Sequence, residues 1–155
     1  MPRRLIVAYG RVALGVGFLS AVADRFGLWG AAGGRNVAWG DFGHFLAYTA
    51  RVNPYLSASL VPALGWFVTG CEIVLGVALI AGVKVRLAAI LSGFLLLAFA
   101  SGMAIGTGVK TALDASVFAA SAGAFLLASA VSTTVNAETA EHAEKESTPE
   151  DAKRG

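Results

Sequence analysis

The chain has 155 residues, of which 56% are hydrophobic and only 14% are charged. A soluble domain of this size carries about 25% charged residues, because a small domain has a large surface to cover with polar side chains. One cysteine excludes an intrachain disulfide, and a net charge of +2 spread along the chain argues against nucleic-acid binding. The composition therefore predicts an integral membrane protein.

Four segments are apolar enough to cross a bilayer as helices, which takes about 20 residues each. The two clearest correspond to runs of 23 uncharged residues, between Arg86 and Lys110 and between Asp114 and Glu138. We place the spans at residues 5–26, 60–82, 86–106 and 113–132. The first also resembles a secretory signal, but Arg11 interrupts its apolar run and favours a retained helix. The predicted fold class is all-α: an integral membrane, four-helix antiparallel bundle formed by residues 1–132.

The connection between the first two spans contains a candidate amphipathic helix, in the stretch NVAWGDFGHFLAYTARVN. Apolar residues beginning with Trp39 recur there at helical spacing, and Asp41, His44 and Tyr48 follow one another on a second side. We expect this helix to lie on the membrane surface or to cap the bundle. His44 is a candidate proton carrier or ligand, although the simpler interpretation is a hydrogen-bonded surface histidine.

The last part of the chain, residues 133–155, is charged and has little to bury, which predicts a disordered tail. The basic residues near the spans divide equally between the two sides of the membrane: Arg3, Arg4, Lys84 and Arg86 on one, and Arg25, Arg35, Arg51 and Lys110 on the other. Because the first group lies in very short segments, we expect both termini in the cytoplasm and the protein in the plasma or inner membrane.

Two ionisable residues, Arg11 and Glu72, fall inside predicted spans, where such groups are costly and face inward toward a partner or water. Measured from the predicted span ends, they lie at depths about 6 Å apart. We therefore predict a buried Arg11–Glu72 pair. Its role is open between a structural clasp and a binding site for a quinone, a proton or an anionic group.

A second polar group is predicted at the opposite interface, where the first span ends and the fourth begins. It consists of Asp24, Arg25, Lys110 and Asp114. Charges at helix ends commonly anchor a span at the membrane surface and complement the helix dipole. Anchoring is therefore the simpler interpretation, with a binding site as the alternative.

The stretches RVALGVGFLSAVADRFGLWG, VAWGDFGHFLAYTARVNPYL, CEIVLGVALIAGVKVRLAAILSG and LDASVFAASAGAFLLA together resemble the DoxX family of small four-helix membrane proteins. The resemblance implies a four-helix bundle in which Arg11 and Glu72 occupy family-like positions. The family takes its name from a subunit of a thiosulfate:quinone oxidoreductase, and some members are associated with redox or thiol-stress complexes. Proteins that share a fold often differ in function, so the function depends on the residues of the site.

The sequence is compatible with three functions. The first is an auxiliary subunit of a membrane redox assembly that contacts a quinone; the others are a proton-coupled carrier using Glu72 and a structural interaction protein. The sequence shows no nucleophile–base pair, metal-ligand cluster or nucleotide-binding loop, so we expect no catalytic residue, metal or cofactor beyond a contacted quinone. The expected partners are the lipid bilayer and redox-complex subunits, with the oligomeric state left open.

Overall fold

The computed structural model describes the backbone of residues 2–147 and the side chains of residues 2–132, and this part of the chain is entirely helical outside its loops. A single 3₁₀ turn, Ala58–Leu60, leads into the third helix. The helices are α1 (Arg3–Arg25), α2 (Phe42–Val52), α3 (Val61–Ala81), α4 (Val85–Gly106), α5 (Val109–Asp114) and α6 (Val117–Ser147).

Three helical segments are long and apolar enough to cross a membrane: Arg3–Arg25, Ala58–Ala81 and Val85–Gly106. The apolar part of α6, Val117–Ser132, forms the fourth rod of the bundle. Large apolar side chains cover the outside, with Val74 67% and Leu126 71% exposed, as expected of a surface that contacts lipid. The predicted four-helix membrane bundle is confirmed. Its fourth helix begins later than predicted because Ser116, with φ 55°, separates α5 from α6.

The bundle consists of two closely packed helix pairs. In the first pair α1 crosses α3 at two glycines, and a Cβ built on Gly15 would lie 2.8 Å from the carbonyl oxygen of Gly76. In the second pair α4 contacts α6 at Gly93, whose carbonyl accepts a hydrogen bond of 2.8 Å from the Ser121 hydroxyl. Small residues at these crossings let the backbones approach, which is how helices associate in lipid.

Helix α2 lies across the end of the bundle that we call the loop end, where α1 and α4 finish and α3 and α6 begin. Asp41 caps α2 by accepting a hydrogen bond of 2.9 Å from the backbone N–H of His44. The other end of α2 contacts α4 so closely that a Cβ on Gly106 would clash with the Arg51 carbonyl and the Val52 backbone. The predicted helix in this loop is therefore present, and it caps the bundle.

The opposite, terminal end contains the start of α1, the α3–α4 turn and the far part of α6. Helix α6 continues to Ser147, where the sequence predicts a disordered tail from residue 133. Residues 133–147 are rich in Ala and Glu, which favour helix strongly, and a helix already formed extends more easily than a new one nucleates. The rest of the predicted tail, residues 148–155, lies outside the described residues.

Candidate functional site

The most deeply buried charges of the described residues form an ion pair between α1 and α3. Arg25 and Glu72 are each only 2% exposed. The Nη2 group of Arg25 donates a hydrogen bond of 2.9 Å to Oε1 of Glu72, and Nη1 contacts Oε2 of the same carboxylate. Burial of two charges in an apolar bundle is costly unless they neutralise each other, so this pairing holds the end of α1 against the middle of α3.

Polar and aromatic groups complete the surroundings of the Arg25 guanidinium. Nη1 donates a hydrogen bond of 2.9 Å to the hydroxyl of Thr69, which itself donates to the Gly65 carbonyl one turn earlier in α3. The guanidinium carbon lies 3.8 Å from the centre of the Phe45 ring and 5.2 Å from the Trp39 ring. These cation–π contacts tie α2 and its preceding loop to the ion pair.

The neighbouring residue Asp24 fixes the loop that carries Trp39. Its Oδ2 accepts hydrogen bonds from the backbone N–H groups of Ala38, at 3.0 Å, and Trp39, at 2.8 Å. The loop returns to the bundle through Gly40, whose φ of 74° and close contact with the backbone of Ala32 leave no room for a Cβ. Asp24 therefore positions the aromatic ring that covers Arg25.

A cavity of about 600 Å³ lies between the two helix pairs and beneath α2, with the ion pair in its wall. Its other walls are mainly apolar and include Trp39, Phe45, Phe67 and Phe99. Arg25 and Glu72 are the charged residues among those lining it. The volume falls within the range of sites that bind drug-sized molecules, about 300–1,000 Å³.

Three buried polar atoms in this region lack a hydrogen-bond partner within the described part of the chain: Oδ1 of Asp24, Nε of Arg25 and Oε2 of Glu72. The last contacts the guanidinium as part of the ion pair. The Nε–H of Arg25 is therefore the unused donor of a residue that lines the cavity. A buried donor without a partner costs about 1–3 kcal/mol.

The predicted Arg11–Glu72 pair is wrong. Arg11 instead donates to the carbonyl groups of Leu79, at 3.0 Å, and Ile80, at 3.1 Å, which have no partners of their own at the end of α3. The observed crossing at Gly15 increases the axial separation of Arg11 and Glu72 to about 12 Å, since it shifts the register by four residues. Side chains in a helix also point toward the start of that helix. In α1 this directs the Arg11 side chain away from Glu72 and the Arg25 side chain toward Glu72.

The predicted interfacial group of four charges is also not one group. Asp24 and Arg25 are buried and make the contacts described above. Lys110 and Asp114 form a separate exposed pair one turn apart on α5, with 86% and 63% of their side chains exposed. Such a surface pair contributes little to stability.

Not all of the candidate residues around the loop helix lie at the cavity. His44 and Tyr48 are one turn apart on the same side of α2, but His44 is exposed and Tyr48 is half-buried. Asp41 and His44 form an exposed contact of 2.7 Å between Oδ2 and Nδ1. Tyr48 and Trp39 line the cavity, and the Tyr48 ring also lies 5.2 Å from the Arg51 guanidinium carbon. Hydrogen bonds from the backbone and side chain of His44 lower the pKa of Asp41, whereas burial raises the pKa of Tyr48.

Two residues that shape the site carried little signal in the sequence. Thr69 was visible only as a polar position on the same face as Glu72, and Phe45 only as part of an apolar stripe. Residues 2–132 contain no group of three His, Cys, Asp or Glu side chains that could hold a metal ion. Comparisons of the chain with protein-family models, curated proteins and solved structures found no match.

Proposed function

We propose that this multi-pass membrane protein is a quinone-contacting auxiliary subunit of a membrane redox assembly. The observation that carries the proposal is the cavity of about 600 Å³ inside the bundle, with the Arg25–Glu72 pair in its wall. The resemblance to the DoxX family supports the assignment to a redox assembly. In this proposal the electron carrier belongs to the partner subunits, and this chain holds the lipid-soluble molecule beside them.

The charges in the wall favour a neutral ligand with a carbonyl head. Arg25 and Glu72 neutralise each other, so the cavity offers no surplus charge to compensate an anionic or cationic ligand in an apolar environment. The unused Nε–H of Arg25 matches a carbonyl oxygen, which accepts a hydrogen bond without bringing a charge. The aromatic side chains in the wall, among them Trp39, Phe67 and Phe99, supply an apolar surface for a planar ring. A quinone combines these features.

The structure also bears on the proposed orientation, because it changes which basic residues lie near each end of the bundle. Arg25 is neutralised inside the bundle, and Arg11 lies near the terminal end. Up to residue 132, the terminal end then has five basic residues and the loop end three: Arg3, Arg4, Arg11, Lys84 and Arg86 against Arg35, Arg51 and Lys110. We therefore place both termini in the cytoplasm. Reporter fusions at residue 155 and in the loop at residue 33 would test this placement.

Quinone binding is tested with a double variant, Trp29→Phe and Trp66→Phe, which leaves Trp39 as its single tryptophan. Both replaced side chains are exposed, whereas Trp39 lines the cavity. Titration with a soluble benzoquinone in detergent is expected to quench Trp39 fluorescence to saturation. The matched control is Trp39→Phe with the other two tryptophans retained, in which only unsaturable, collisional quenching is expected. Unsaturable quenching of Trp39 would overturn quinone binding.

The redox part of the proposal is tested separately, by isolating the full chain from its own membranes in mild detergent. We expect it to co-purify with a subunit that shows the visible absorbance of a flavin, a haem or an iron–sulfur cluster. Isolation in repeated preparations without such a subunit would overturn the assignment to a redox assembly. Quinone binding by this chain would then be decided by the fluorescence titration alone.

A further inference from the structure

We infer that the cavity opens sideways into the bilayer between α1 and α6, so that its ligand reaches Arg25 from the lipid with an apolar tail left in the opening. This inference rests on the proposed function, because it specifies the ligand of the same cavity. It adds a route and a second chemical feature of the ligand, a hydrocarbon tail that the opening accommodates, to the neutral acceptor head.

The two helices touch at the terminal end and separate toward the loop end. Near the terminal end the Arg3 guanidinium bonds to the Ala130 carbonyl, and a Cβ on Gly10 would lie 3.6 Å from Leu127. Two turns further along α1 on the same face comes Gly17, where an added Cβ would meet no atom within 4 Å. Helices that touch at one level and leave open space two turns later must diverge between those levels.

The residues at the divergence belong to the cavity. In an antiparallel pair that meets at Gly10 and Leu127, the residue level with Gly17 is Ala120, and both line the cavity. Ala13, one turn below Gly17 on α1, also lines it, and both α1 residues are exposed. These side chains are too small to close the gap, so the cavity continues to the lipid-facing surface along this edge.

The direction of the ligand follows from the position of the polar groups. Arg25 is 2% exposed, lines the cavity at the loop end and has an unused Nε–H, whereas Gly17 lies about two turns, or roughly 12 Å, deeper in the membrane. An acceptor head at Arg25 therefore leaves its attached chain pointing past Gly17 toward the hydrocarbon core. The tail therefore remains in contact with lipid hydrocarbon when the head binds, and none of its apolar surface is transferred to water.

The test uses two probes with the same head: decylubiquinone, which has a ten-carbon tail, and the tail-less parent benzoquinone. Their dissociation constants are measured by Trp39 fluorescence in the chain with Trp39 alone, with and without Gly17→Leu. The added side chain occupies the opening, so we expect it to weaken binding of the tailed probe at least about tenfold and to leave the tail-less probe unchanged. Gly70→Leu is the matched control, since Gly70 is also helical, exposed and free of neighbours within 4 Å but does not line the cavity.

The other possible results contradict either the opening between α1 and α6 or the proposed function. Unchanged binding of the tailed probe to Gly17→Leu would overturn the opening between α1 and α6. An equal loss of binding for both probes would also overturn it, because the leucine would then block the site of the head. Weakening of the tailed probe by Gly70→Leu would also overturn it, because the effect would then not depend on the cavity. Saturable binding to the parent chain would persist in these cases, and its absence would overturn the proposed function instead.

Discussion

A double-mutant cycle on the buried ion pair tests the observed partnership of Arg25 and Glu72. Arg25→Met and Glu72→Leu replace each charged group by an apolar side chain. Either change alone leaves the other charge buried and uncompensated, which costs about 3–5 kcal/mol. The double variant removes both charges together and loses mainly the contact of the guanidinium with Phe45 at 3.8 Å, about 2 kcal/mol or less. The expected coupling energy is therefore at least about 4 kcal/mol.

The cycle is measured by unfolding the full chain in detergent micelles, with the free energy of unfolding taken from a reversible transition. Each single variant is expected to lower the melting temperature by about 10 °C, and the double variant by much less. Arg11→Met supplies the matched control, because Arg11 bonds to α3 carbonyls rather than to Glu72. Additive effects of Arg25→Met and Glu72→Leu, or coupling of Glu72 to Arg11 instead, would refute the pairing.

Three further predictions concern the helix ends and crossings. Arg11→Met alone should destabilise the chain by about 1–2 kcal/mol, because two carbonyls lose their donor, and an unchanged unfolding free energy would contradict this capping role. Gly15→Leu should destabilise by at least about 1–3 kcal/mol through its clash with α3, whereas Gly17→Leu should be tolerated; equal melting temperatures for the two would contradict the crossing geometry. The hydrogen bonds from His44 lower the pKa of Asp41 in the folded chain, so the stabilisation they provide is present above the ordinary value of 3.8 and is lost as the pH falls through the lowered pKa. Asp41→Asn keeps a capping side chain without this titration, so the difference in melting temperature between it and the parent chain should shrink as the pH drops below 3.8, and a constant difference would contradict the assignment.

Much of the fold follows from the sequence because hydropathy determines which segments lie in lipid. Hydropathy predicted the second and third spans to within one residue at each end, and α2 was recognisable from the spacing of its apolar residues. The length of α6 was not predicted. The charged composition of residues 133–147 indicates disorder, whereas their intrinsic helix preference favours continuation of the helix. Hydropathy also does not predict the helix break at Ser116, because the break is a change in backbone conformation.

The site was predicted only in part, because its geometry depends on the register between helices. Glu72 was correctly identified as a buried charge, but its partner depends on the crossing at Gly15 and Gly76, which span boundaries do not determine. Arg25 looked like an interfacial anchor because it ends a helix, and its burial depends on the loop that returns over it. The cavity is a property of the space between helix pairs and has no signature in a single sequence.

Quinone binding in the cavity is tested most directly by identifying the lipid-soluble molecules that co-purify with the chain from quinone-containing membranes. Extraction and mass spectrometry should find close to one quinone per chain in the parent protein and in Gly70→Leu, and a strongly reduced amount in Gly17→Leu. The three proteins differ only at positions with open space around them, so their folding should be equivalent. Parent protein that is folded and free of quinone after such a purification would contradict the assignment of the cavity.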